Sequence, residues 1–145
     1  MIITIQTPEP GQEDEIILRC NRLDARLMNL IYQLKSDTQK LTAYRDQEIT
    51  VLRPRDVFYF ESVDNKVFAY CEKDVYEIRR KLYELEADFQ GMDFLRISKS
   101  TIVNVAKIGH LSPAFNGRLE ARLKNGEKII ISRQYVPDLK KNLGI

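Results

Sequence analysis

Arg96, Ser98, Lys99, Ser100 and Thr101 crowd into one knuckle of the chain, pinned between Phe94-Leu95 on one side and Ile102-Val103 on the other. An ammonium is costly to bury, and hydroxyls donate well to phosphate oxygens. The stretch therefore reads as a loop offered to a polyanion by strand-like flanks. Two other connections carry similar chemistry. Asp64-Asn65-Lys66 supplies an amide that can read a base edge and an ammonium that can meet a phosphate. Ser132-Arg133-Gln134-Tyr135 joins a guanidinium suited to guanine O6 and N7 with an amide suited to adenine N6 and N7. Turns are usually polar, so each signal is weak when taken singly.

Chemistry of other kinds finds little footing. There is no glycine-rich Walker loop and no dinucleotide fingerprint. Cys20 and Cys71 lie far apart, and with the single histidine, His110, they cannot make up a zinc site of usual spacing. Both read as reduced, half-buried strand residues. Ser98, Ser100 and Ser132 lack a plausible base, and Glu84, Glu86 and Asp88 read as a solvated helix face. The expectation is a protein that is not an enzyme and needs no cofactor.

Charge is segregated along the chain. The formal net charge is only +2, yet residues 96–145 hold ten basic and three acidic side chains, while residues 56–95 hold five and ten. A basic end of this kind is the electrostatic footprint of a phosphate-backbone binder. The apolar runs are far too short to span a membrane, and the N-terminus lacks the basic start of a secretory signal. A cytoplasmic location is the default expectation.

The elements that must position these loops are mostly strands. From residue 41 the apolar period is two, predicting strands over 41–44, 48–52, 57–62, 66–72, 75–78, 94–97, 100–103, 110–115, 119–123 and 128–132. Arg45-Asp46-Gln47 and Val63-Asp64-Asn65 supply tight links, and Asn116-Gly117 and Asn125-Gly126 are strong hairpin signals. Residues 81–87 fit one short helix. The body is thus mainly β (α+β when the whole chain is counted).

Residues 1–40 look different and predict a small ββα element. Strands are expected at 2–5 and 15–20, with a helix capped by Asn21 and ending near Ser36-Asp37. Leu23, Leu27, Leu30, Ile31 and Leu34 fall on one helical face. That stripe either packs on the two strands, forms a homodimer seam, or does both, because so small a unit buries little by itself.

Residues 41–145 resemble the LytTR DNA-binding domain of bacterial transcription regulators. The resemblance rests on Phe60-Glu61-Ser62, on Phe94-Leu95-Arg96-Ile97-Ser98-Lys99-Ser100 followed by Asn104, and on Ser132-Arg133-Gln134-Tyr135, in the family's order and spacing. It implies an elongated antiparallel β domain whose loops enter successive major grooves on one face of duplex DNA. By this similarity, base contacts fall near Asn65, Lys99 and Arg133 or Gln134. Phosphate contacts come from Lys66, Ser98, Ser100 and Thr101, while Asn104 braces the turn after the knuckle. Forty residues cannot hold a receiver domain, so the chain is similar to small stand-alone regulators of this type. The implied partners are promoter repeats, a second copy of the chain, and a membrane protein that restrains the regulator. The rival reading is a protein-interaction module with an incidental basic surface.

Overall fold

A computed structural model describes residues 1–145, the side chains of residues 36–38 excepted. Ten strands and three α-helices follow in the order α1 (Ala25–Thr38), β1 (Leu41–Arg45), β2 (Glu48–Leu52), β3 (Tyr59–Val63), β4 (Lys66–Tyr70), β5 (Val75–Ile78), α2 (Leu82–Asp88), β6 (Phe94–Arg96), β7 (Thr101–Asn104), β8 (Ile108–Pro113), β9 (Leu119–Leu123), β10 (Lys128–Ile131) and α3 (Val136–Leu143). Every strand predicted from residue 41 onward appears within about two residues of its expected place. The hairpin signals at Asn116-Gly117 and Asn125-Gly126 join β8 to β9 and β9 to β10.

The strands form two antiparallel sheets. The larger has the order β2-β1-β5-β4-β3-β7-β6, and the smaller runs β10-β9-β8. Their meeting place is written in the pattern of the first half of β3 and of β7, whose side chains are buried on both faces. Phe60 and Ile102 point into a core with Leu82, Leu85 and Phe89 of α2 and its C-terminal turn. Their neighbours Tyr59 and Val103 point the other way, into a core with Ala121, Leu123, Ile131 and Leu139. Successive strand residues face opposite sides, so these two strands form the wall between two cores. On the first side Phe60, Phe89 and Phe94 pack ring to ring, with centroids 5.0–6.0 Å apart. On the second, the Tyr59 hydroxyl donates to Glu127 in the β9–β10 turn at 2.9 Å, tying one sheet to the other.

Three expectations are corrected. The chain ends in a second well-formed helix of the body, α3, where only a terminal segment was expected. Pro137 sits in its first turn with Asp138, Lys140 and Lys141 lie in its last turn, and Gly144 closes it at φ 75°. Residues 2–5 and 15–20 form no strand, since no other backbone pairs with them, and Cys20 is accordingly exposed rather than half-buried in a strand. Helix α1 begins three residues later than predicted. Asp24, not Asn21, is its cap, accepting from the Leu27 N–H at 2.9 Å.

Leu23 thus precedes α1. It is exposed, as is Leu30, while Leu27, Ile31 and Leu34 are half-buried. The helix meets the body through Tyr32, whose ring lies against Gly91.

Candidate nucleic-acid interface

The three basic connections converge through backbone hydrogen bonds. In the knuckle, β6 and β7 close on each other, with Ile97 N–H donating to Thr101 O at 3.0 Å. The neighbouring strand β3 joins from one side, its Ser62 N–H donating to Ser100 O at 2.8 Å. From the other side Ser132 N–H donates to Ile97 O at 2.9 Å. The tip of the β3–β4 hairpin, the knuckle and the turn after β10 are therefore fixed to one another at one end of the larger sheet. Rigid strands carrying polar loops in this way suit recognition, because the loops need little reordering on binding.

Each loop has a local reason for its shape. Val63 pairs with Lys66 across a two-residue turn, and Asp64 and Asn65 both have positive φ, 51° and 61°. Such a turn matches the twist of its strands and favours Asn, Asp or Gly at both central positions. Asn65 and Lys66 are exposed at its tip. In the knuckle, Ser98 Oγ accepts from Ser100 N–H at 3.2 Å, which leaves Lys99 at an exposed apex. Arg96 serves the loop from behind. Its guanidinium donates to Lys99 O at 3.1 Å and bridges Glu86 of α2 at 2.9 Å.

The third connection is a 3-10 turn, Arg133–Tyr135, that runs directly into α3. Arg133 and Gln134 are exposed, and the Arg133 stem crosses Gly117 so closely that a Cβ there would lie 3.2 Å from Arg133 Cδ. Ser98, Lys99, Ser100, Arg133 and Gln134 line one open cleft, joined by Asn116 and Arg118 from the β8–β9 turn. Sequence reasoning missed those last two. Asn116-Gly117 was read only as a hairpin signal, although an arginine directly follows it on the basic end of the chain.

Thr101 does not belong with them. It is 8% exposed, within β7, where the two-sided cover of that strand encloses it, so the expectation of a phosphate contact from Thr101 is withdrawn. Asn104 is a brace: its amide donates to Val57 O at 2.9 Å, and its oxygen accepts from Ala106 N–H at 3.1 Å.

Among the described residues no cluster of histidine, cysteine, aspartate or glutamate could hold a metal ion. The half-buried Cys71 thiol is pushed up to about 11, first by burial and then by the carboxylates Asp56 and Asp74. A thiol that keeps its proton at neutral pH is a poor nucleophile. The phenols of Tyr59 and Tyr70 are likewise raised, first by burial and then by the carboxylates Glu127 and Glu61.

Residues 47–144 match the family model for the LytTr DNA-binding domain. The chain belongs to that family. A solved LytTr DNA-binding domain of a putative methyl-accepting/DNA response regulator from Bacillus cereus superposes with a TM-score of 0.70 at 25% identity, covering 74% of this chain and 99% of that one. An uncharacterised HTH-type transcriptional regulator of Staphylococcus aureus is 34% identical over 120 residues, which is 82% of this LytTr chain and 80% of the relative. The sensory transduction protein LytT of Enterococcus faecalis is 28% identical over 100 residues, and that match spans only 41% of its length. The helix-turn-helix label borne by the staphylococcal relative has no counterpart among the described residues of this LytTr fold. No two of the three α-helices are consecutive, and the exposed basic loops are set by strands. No helix among the described residues is long and apolar enough to cross a membrane.

Proposed function

We propose that this LytTr-family chain regulates transcription by binding duplex DNA sequence-specifically, with three loops of its β body reaching the major groove. Asn65, Lys99, Arg133 and Gln134 read base edges in this scheme, and Lys66, Ser98 and Ser100 hold phosphates. Asn116 and Arg118 join the phosphate set. The observation that carries the reading is the backbone coupling of the three connections. Ser62–Ser100 and Ile97–Ser132 hydrogen bonds make them one surface, so their spacing is fixed before DNA arrives. The DNA is met as repeated half-sites, by a dimer or by paired monomers, and bends as the loops enter from one side.

Fluorescence anisotropy tests the reading. Duplexes from the region upstream of the chain's own gene are titrated beside scrambled duplexes over a range of salt concentrations. Sequence-dependent affinity with a steep negative salt slope is the expected result. Binding that ignores sequence would reduce the site to a basic surface. Folded protein that ignores DNA at low salt would point to a protein-interaction module instead.

A further inference from the structure

Half of the large hydrophobic side chains that the fold leaves exposed lie within the first 30 residues, a fifth of the chain. One run of three is Ile16-Ile17-Leu18, with Ile16 68% and Ile17 63% exposed. Its backbone has no strand partner. Asp14, Ile16 and Leu18 line a groove with Ile31 and Leu34 of α1, bordered also by Glu15, while Ile17 stands outside it. Such a segment is half of a structure: it borders a groove along α1, and its edges are open to another strand.

The charges around it name the missing half. Reading along the chain, Glu13-Asp14-Glu15 is acidic, Ile16-Ile17-Leu18 is apolar, and Arg19 is basic, with Arg22 beyond. A segment acidic before its apolar centre and basic after it is complementary to itself when run antiparallel. We propose that residues 15–19 pair antiparallel with the same residues of a second copy about a twofold axis at Ile17, under the two α1 helices. In this register Glu15 faces the partner's Arg19 and Ile16 faces the partner's Leu18, each contact occurring twice. Directly opposed ions and β-branched or aliphatic pairs are the units that stabilise an antiparallel ladder. The contact is isologous, so it closes at two copies and does not propagate.

The inference deepens the dimer invoked in the proposed function, but the interface needs no DNA. It is therefore tested without DNA, and anisotropy on DNA remains a separate measurement. Sedimentation equilibrium of the full chain, in reductant so that exposed Cys20 does not cross-link, should give twice the chain mass of 17.0 kDa. Glu15→Arg alone, or Arg19→Glu alone, sets like charges opposite each other at both crossings and should weaken self-association by about tenfold or more. The double variant Glu15→Arg/Arg19→Glu restores opposite charges and should recover the parent's association. A parent chain that stays monomeric at the highest concentration reached would overturn the proposal, as would single reversals without effect or a double variant as weak as the singles. Monomeric protein that still binds DNA specifically would remove this interface and leave the DNA reading intact.

Discussion

A guanidinium that makes two hydrogen bonds to one base edge and an ammonium that meets one phosphate fail differently when removed. Arg133→Ala should cost about 1–3 kcal/mol of DNA affinity and relax specificity at one position, because a bidentate donor pair is lost. Lys66→Ala should weaken all duplexes alike and lower the salt slope by about one. Anisotropy on matched and mismatched duplexes separates the two. Asn104 tests stability instead, since it lies 2% exposed with both ends of its amide engaged. Asn104→Ala leaves Val57 O and Ala106 N–H without these partners and should cost about 1–3 kcal/mol in urea denaturation. Lys99 was legible from sequence because a lysine between hydroxyls must stay wet. Thr101 was not, because a hydroxyl does not reveal that its strand is covered on both faces, and that cover comes from β9, β10 and two helices remote in sequence.

Among the elements, α3 matters more to the interface than its length suggests. It follows directly on the Arg133–Tyr135 turn and is anchored by Leu139, which is fully buried in the core shared with Ile97, Val103 and Ile131. Leu139→Ala should cost about 2–5 kcal/mol of stability by leaving a cavity. Loosening the anchor should also reduce DNA affinity at temperatures where the rest of the domain stays folded, as seen by anisotropy beside circular dichroism. The hairpins were readable because period-two alternation and Asn-Gly turns are both local. The signals of α3 were equally local, from Pro137 to Gly144, but a short polar tail and a short helix share them until Leu139 finds its core. The N-terminal strands failed for the opposite reason. Their aliphatic residues are present, yet a strand also needs a partner, which the rest of this chain does not supply.

The whole molecule rests on two cores divided by β3 and β7, and its response to alkali draws on three raised acids, the phenols of Tyr59 and Tyr70 and the Cys71 thiol packed against the first core. The Cys71 thiol is raised to about 11 from an ordinary value of 9.0, chiefly by burial and then by Asp56 and Asp74. Between about pH 9 and pH 11 the unfolded chain gives up this proton while the folded chain keeps it, so folding stability should fall as pH rises through that window. The loss should be modest for a half-exposed thiol. Denaturant midpoints should fall across the window in the parent and fall less steeply in Cys71→Ala, where the raised Tyr59 and Tyr70 phenols still act, and an identical pH dependence in both would reject the assignment. Legibility was lowest at this scale. The count and order of strands could be read along the chain, but that the larger sheet is seven strands wide, with β2 and β6 at its margins, depends on pairings between distant segments.

The two-residue turn at Asp64-Asn65 also constrains how such a regulator could acquire new targets. Both positions have positive φ, where most side chains pay roughly 1–2 kcal/mol, so the repertoire at that tip shrinks to Asn, Asp and Gly. Lys99, Arg133 and Gln134 carry no such backbone demand. Mutational drift in the preferred promoter should therefore enter through the knuckle and the last turn, while the hairpin tip stays nearly invariant and keeps the protein in register on whatever site the others choose.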